Sequence, residues 1–408
     1  MPGPGFGFIG TEERENVLRV LDDWHDRRNT FDDPGEGRMV RSFESAVADR
    51  FGSRHCLAVN SGTSALLTAL AALGIGPGDE VIVPGYMFVA SIAAVVHSGA
   101  DPVLAEVDES LTLDPNDVER RITPRTKAIM PVHMLGAPSD MAALGALAER
   151  HGLHLLEDCA QSAGATYRGR PLGTLGEVGT FSLNHFKVFT ALDGGFLLTD
   201  DQRTFQRAYS YHDQGWFPYR DDDGDGDLLL GLNLGLSELN AAVALAQLHK
   251  LDLILDRVRT INRTLVRRIG SLPGVQQRRL HDDEGACGTV AVYLFDSPQH
   301  AADVAGRLGT KTLINSPRHY YGGIPALTAF GRGDLSTAPF RTRDGAAGAQ
   351  RFAAGALPRT DDILSRAIAV STGVSDSYLG AGFGVALRSS AAEIEVAADT
   401  FVAAVTGG

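Results

Sequence analysis

Between about residues 40 and 250, short apolar runs alternate with segments of helical spacing. The runs are CLAV (56–59), EVIVPG (80–85), DPVLAEV (101–107), KAIMPVHM (127–134), HLLEDCA (154–160), VGTFSL (178–183) and GFLLTD (195–200). Segments between them, such as TSALLTALAALG and MAALGALAERHG, carry apolar residues at helical intervals and end at glycine. Strands that alternate with helices imply a largely parallel sheet covered on both faces. The fold class expected is therefore α/β, with a mostly parallel seven-stranded sheet sandwiched by helices. The last two runs are close together, so one edge is expected to include an antiparallel pair. In such sheets, ligands sit at the carboxyl ends of the strands.

From residue 236 a long helical pattern, LSELNAAVALAQLHKLDLILDRVRTINRTLVRRIGSL, is expected to lead into a second unit. Beyond it, GTVAVYLF and helical patterns at 301–308 and 391–404 predict a smaller α+β domain. The division expected is a large domain over 1–250, with an N-terminal arm over 1–35, and a small one over 251–408. A length of 408 residues suits this arrangement.

Composition removes several function classes. A net charge of −13 argues against a partner with a phosphate backbone. Small anions remain possible ligands, because backbone dipoles can hold them locally. The three cysteines, Cys56, Cys159 and Cys287, form no C-x-x-C pair and no obvious disulfide framework, so no metal site is expected. No apolar run reaches membrane-spanning length, and the first residues lack a basic segment followed by an apolar one. A cytoplasmic protein that binds neither membrane nor nucleic acid is expected. The stretch DDDGDG (221–226) matches the first half of a calcium loop, but Leu232 stands where the closing glutamate belongs. A solvated acidic loop is the better reading.

Four stretches carry chemistry. FSLNHFKVFTALDGG (181–195) holds Lys187, one of only four lysines in a chain with 33 arginines. Lysine can give up a proton and attack a carbonyl, which arginine cannot easily do. Phe186 and Phe189 would desolvate such an amine and favour its neutral form; the alternative is an ordinary surface lysine. LAVNSGTSALL runs from a strand into a helix through Asn60–Thr63, offering free N–H groups and hydroxyls for an anion, or simply a helix cap by Ser61 or Thr63. HLLEDCAQ ends a strand on Glu157 and Asp158, and one carboxylate there must face the strand-end crevice. A protonated pyridine nitrogen would partner it, unless it only caps the next helix. Gln161 lies three residues on, and Phe88 in VPGYMFVAS could stack on a flat heterocycle or belong to the core. Together, an amine for an aldehyde, a carboxylate for a ring nitrogen, an anion cradle and an aromatic ring describe pyridoxal 5′-phosphate (PLP).

The order and spacing of these stretches, over nearly the whole chain, resemble the DegT/StrS-like sugar aminotransferases, a branch of the fold-type I PLP enzymes. The SGT…GIGPGDEVI and EDCAQ runs are the most specific to that family. The resemblance implies that Lys187 forms the link to the cofactor's aldehyde and that Asp158 partners the pyridine nitrogen. It implies Gln161 near the ring's 3-hydroxyl, Phe88 on the ring face, and Gly62, Thr63 and Ser182 on the phosphate. It also implies a homodimer with active sites at the subunit interface, into which Asn233 reaches from the neighbouring subunit. Three positions depart from the family: Gly235 replaces an arginine, Asn184 a histidine, and Asp193 a glutamate. The missing arginine bears on how the substrate or the donor's carboxylate is held.

The activity implied is transfer of an amino group from glutamate or glutamine to a keto sugar or keto-cyclitol, in sugar, aminoglycoside or other secondary-metabolite biosynthesis, including that of antibiotics. A dehydration, decarboxylation or cyclisation on the same scaffold, and a non-catalytic PLP-binding regulator, are the alternatives. Sugar dehydratases of the scaffold carry histidine in place of the lysine, so Lys187 argues against that subtype.

Overall fold

The computed structural model describes residues 3–27, 38–216, 228–335, 350–374 and 380–407. The acidic stretch 221–227 lies outside the described residues. Thirteen strands are β1 (His55–Val59), β2 (Glu80–Pro84), β3 (Asp101–Ala105), β4 (Thr126–Ile129), β5 (His154–Asp158), β6 (Thr166–Tyr167), β7 (Arg170–Pro171), β8 (Val178–Ser182), β9 (Gly195–Thr199), β10 (Val275–Gln277), β11 (Val290–Phe295), β12 (Ala367–Ser371) and β13 (Phe383–Gly384). The large sheet has seven strands in the order β1-β9-β8-β5-β4-β2-β3. Each of the seven apolar runs supplies one of them.

Pairing is parallel from β8 through β3, and β9 is antiparallel to both its neighbours. The expected antiparallel pair therefore exists, but it does not lie at an edge. β1 covers β9 along five residues, from His55 opposite Thr199 to Val59 opposite Gly195. The rows of N–H and C=O groups that β9 would expose are thereby satisfied.

The two faces of the sheet build two cores by simple alternation. Leu57, Val59, Val81, Val83, Ala128, Met130, Leu156 and Leu197 belong to one, with the helices Gly62–Ala72 and Val89–His97. Cys56, Ala58, Ile82, Ile129, Leu155, Phe196 and Leu198 belong to the other, with the helices Arg38–Phe51, Met141–His151 and Glu238–His249. Local chemistry sets the helix ends. Asp140 caps Met141–His151 by accepting from the N–H of Ala143, and Gly152 ends it at φ 63°, a left-handed position that favours glycine.

The long pattern after residue 236 is two helices, Glu238–His249 and Leu251–Ile269, divided at Lys250. No proline or glycine causes the break. At the break, the Lys250 ammonium donates to Glu12, Glu13 and the carbonyl of Phe8. Helix Leu251–Ile269 then serves two cores: Leu251, Ile254, Leu255 and Val258 pack in the second, while Ile261, Leu265 and Ile269 pack in a third. That third core lies on a four-stranded sheet, β10-β11-β12-β13, closed by the helices Pro298–Arg307 and Ala391–Thr406.

Candidate active site

The carboxyl ends of β1, β5 and β8 open into a cavity of about 380 Å³. Gly62, Thr63, Phe88, Asp158, Gln161, Ser182 and Lys187 all line it. Asn233 does not. It is exposed, in a segment tied to the end of β1 through Val59–Gly235 and Asn60–Leu234 pairing.

The anion cradle and the helix cap are the same structure. Ser61 is the N-cap of Gly62–Ala72 and accepts from the N–H of Ser64. Helix geometry leaves the N–H groups of Gly62 and Thr63 without an intrahelical acceptor, at the positive end of the helix dipole. Glycine is required at 62 by close approach, since a Cβ there would stand 2.7 Å from Cβ of Ser182. Gly62 and Ser182 thus pack directly against each other, which sets the first turn of the helix and the Ser182 hydroxyl side by side on the cavity wall.

Alternation on β5 decides between the two carboxylates. Asp158 follows Leu156 onto the first-core face and enters the cavity. Its Oδ2 accepts from the hydroxyl of Ser91 at 2.6 Å, and its Oδ1 accepts from the N–H of Ala160 at 3.0 Å. Glu157 follows Leu155 to the opposite face, where it is wholly enclosed. It accepts from His133 Nε2 and from the N–H groups of Gly173, Leu175 and Gly176 at 2.7–3.0 Å. Burial pushes the Glu157 carboxyl up, but the His133 hydrogen bond and the backbone donors outweigh it and hold it below the usual carboxylate range. His133 Nδ1 accepts from the N–H of Ser139 at 3.1 Å, so Nε2 carries the proton that Glu157 receives. His133, Glu157 and Cys159 bring metal-ligand atoms within 4.8 Å of one another. The hydrogen bonds just described already employ the imidazole and the carboxylate, and they account for this cluster without an ion.

Lys187 lies on the connection between β8 and β9, which has no regular structure there. Its Nζ sits 5.9 Å from the centre of the Phe88 ring, so amine and aromatic face share one end of the cavity. Phe186 lines the same wall, its ring tilted against that of His185 with centroids 4.1 Å apart. Phe189 does not: it is buried in the second core against Phe196. Desolvation of the amine therefore comes from Phe88 and Phe186. Gln161 is steadied by the N–H of Leu135, which donates to its Oε1 at 3.0 Å, leaving the amide NH₂ for the cavity.

Sequence reasoning did not single out Ser91, Thr289, Val290 or Val374, although the last three line the cavity; His319 lies in the stretch NSPRHYYGG (315–323), which the family resemblance sets near the acceptor. Arg318 and His319 fall within the segment 315–323, which is pinned beside Phe88. The N–H of Met87 donates to the carbonyl of His319 at 2.9 Å, and that of Val89 to the carbonyl of Arg318 at 3.0 Å. No local pattern signals this pairing across more than 200 residues.

These residues fit PLP. The N–H groups and hydroxyls at the start of the helix Gly62–Ala72 would hold its phosphate, the buried Asp158 carboxylate bonded to Ser91 would suit a protonated ring nitrogen, and the Lys187 amine near the Phe88 ring would suit its aldehyde. The profile of the DegT/DnrJ/EryC1/StrS aminotransferase family matches residues 18–338. An L-glutamine:2-deoxy-scyllo-inosose aminotransferase of Micromonospora echinospora is 38% identical over 305 residues, 69% of this chain and 72% of that protein. A GDP-perosamine synthase of Caulobacter vibrioides is 42% identical over 248 residues, covering 59% and 62%. An L-glutamine:scyllo-inosose aminotransferase of Streptomyces griseus is 45% identical over 226 residues, so the match spans 53% of each chain. Among solved structures, 3-amino-5-hydroxybenzoic acid synthase superposes with a TM-score of 0.75 at 28% identity, over 98% of this chain and 97% of that one. S. venezuelae DesV, in complex with a ketimine intermediate, gives 0.74 at 30%, over 96% and 93%. The chain belongs to the DegT/DnrJ/EryC1/StrS aminotransferase family, and PLP is its cofactor.

Proposed function

We propose that the protein moves an amino group from glutamate or glutamine onto a keto-cyclitol or keto sugar in secondary-metabolite biosynthesis. The observation that carries this reading is the meeting of Lys187, Asp158, the Ser61–Thr63 cradle and Phe88 in one cavity. PLP, when bound, supplies an aldehyde for the amino group and a ring that accepts electrons. The chain's own residues do the rest. The N–H groups of Gly62 and Thr63, with the Ser182 hydroxyl, bind the phosphate. Asp158, its carboxylate oriented by Ser91, keeps a proton on the ring nitrogen. Phe88 holds one ring face, and the Gln161 amide meets the 3-hydroxyl. The Lys187 amine moves the proton that migrates during transfer. Arg318 also lines the cavity, a cation that position 235 does not supply.

Relatives at 38–45% identity are named for glutamine and inosose substrates, and another for a GDP-linked sugar. To separate the two acceptor classes, the pyridoxamine-phosphate form is mixed with free keto-cyclitols and with nucleotide-linked keto sugars. Return of the aldehyde form's visible absorbance marks the acceptor. Return with neither class contradicts the assignment.

The same reading includes a homodimer, a cytoplasmic location, and a division of the chain near residue 250, where helix Leu251–Ile269 begins. Leu230, Leu232 and Trp216 are exposed (93%, 52% and 64%) close to Asn233 in sequence or pairing, which suits burial against a second copy. Sedimentation of a monomer at micromolar concentration, with full activity, would contradict the dimer.

A further inference from the structure

The residues Gly3–Phe8 are a second support for the lysine loop. Between Asn184 and Ala191 the chain has little structure of its own to hold Lys187 in place. Its local bonds include a turn from the N–H of Lys187 to the carbonyl of Asn184, the N–H of Phe186 to Asn184 Oδ1, and the N–H of Ala191 and the Thr190 hydroxyl to the carbonyl of Leu183, and none of these takes up the carbonyls on either side of Phe186. Two carbonyls of the loop are taken up from far away. The N–H of Gly3 donates to the carbonyl of His185 at 2.8 Å, and that of Gly5 to the carbonyl of Lys187 itself at 3.3 Å. Both donors lie at the start of a short 3-10 helix, Pro4–Phe8, whose first N–H groups have no acceptor within the helix.

This approach requires glycine at both positions. A Cβ on Gly3 would fall 2.0 Å from the carbonyl oxygen of Phe186, and one on Gly5 would fall 2.6 Å from Cα of Phe189. Both contacts are with backbone, which cannot rotate away. Further along, Gly10 has nothing nearer than 3.7 Å to a Cβ. Between Gly5 and Gly10, a Cβ on Gly7 would meet only the end of the Leu387 side chain, at 2.9 Å, so the backbone contacts that demand glycine are those with the lysine loop.

A buried bridge repeats the connection. The Gln247 side chain, fully enclosed, accepts from the N–H of Thr190 at 3.4 Å and donates to Glu13 Oε1 at 2.7 Å. Glu13 also receives the N–H of Gly10 and the Lys250 ammonium, and that ammonium holds the carbonyl of Phe8. The segment is therefore moored at its far end to the break between two helices, and the lysine loop is fastened at both 185–187 and 190.

From this geometry we infer that Gly3, Gly5 and Gln247 are positioning residues for Lys187, and that the mooring at Glu13 and Lys250 keeps the amine in line with the cofactor site. The inference rests on the reading of Lys187 given above. An amine displaced by about 1 Å would slow transfer on the order of 10²-fold without removing any reacting group.

The test compares Gly3→Ala, Gly5→Ala and Gln247→Leu with Gly10→Ala, all as PLP-bound enzymes. For the first three, kcat is expected to fall about 10- to 100-fold. The pH midpoint of the cofactor's visible band should shift by on the order of one unit, and hydrogen exchange at 183–191 should accelerate. Gly10→Ala should match the wild type in all three readouts. Gln247→Leu adds no clash, so it keeps the test valid should a glycine variant fold poorly. Borohydride labelling of the wild type at another lysine would overturn the reading of Lys187. Labelling at Lys187, with unaltered midpoint and exchange in the folded variants, would overturn the positioning role alone.

Discussion

Asp158 and Lys187 face the same cavity from unlike supports. Asp158 stands at the end of a central parallel strand, between β4 and β8, with its backbone N–H bound to Pro131 and its carbonyl bound by His133. Its carboxylate is set by Ser91 and Ala160. Lys187 stands on an irregular connection whose neighbours 185 and 190 are held by residues 3 and 247. The strand end fixes the Asp158 backbone by sheet register, and Ser91 and Ala160 then orient its carboxylate. The loop depends on contacts that close only when distant segments fold around it.

Changes on either side of this comparison should differ in kind. Lys187→Ala has the largest expected effect, a loss of about 10²–10⁴-fold or more in turnover, because no other group replaces the proton carrier. It should leave the melting temperature near that of the wild-type enzyme without cofactor. Asp158→Asn keeps the strand and the Ser91 contact but removes the charge. Turnover should fall about 10²–10³-fold, with phosphate-dependent cofactor binding retained; stopped-flow half-reactions with glutamate measure this. Glu157→Gln probes the strand end itself. Its NH₂ replaces one of the two oxygens, so two of the four donors around Glu157 would face another donor, and unfolding free energy should drop by about 3 kcal/mol, as read in urea melts. An unchanged melt would mean that β5 does not need the buried network.

The smallest effect is a pH dependence away from the cavity. Glu44, on the helix under β1, is pushed up to about 7 by burial, with Glu238 adding to the rise and the N–H of Ala58 and Arg41 opposing it. A carboxyl held above its unfolded value stabilises the fold fully below that value, and this stability is lost as pH rises through about 7. Glu44→Gln, whose carbonyl can still accept from Ala58, should therefore melt higher than the wild type at pH 8 and alike at pH 4.

How much the sequence revealed follows the same line. The seven strands, the cradle after β1 and the pair Glu157–Asp158 were legible because each depends on residues adjacent in the chain. Alternation told that only one carboxylate enters the crevice, and Leu155 and Leu156 show which. The insertion of β9 beside β1 was not legible, since strand order is a matter of long-range pairing. Nor were the helix break at Lys250, the seating of Arg318 beside Phe88, or the meeting of Gly3 with His185. Each involves residues more than 130 positions apart, the Lys250 break included, since its ammonium is bound by Glu12 and Glu13. Phe189 was misread for a related reason: its neighbours in sequence do not disclose that it turns into the second core.

The central claim is that the cofactor is joined to one particular amine. Borohydride reduction of the holoenzyme, followed by peptide mass mapping, tests it directly, because the chain offers only four lysines to label. The account predicts a pyridoxyl-phosphate adduct on Lys187. An adduct on Lys127, Lys250 or Lys311, with Lys187 unmodified, would contradict it.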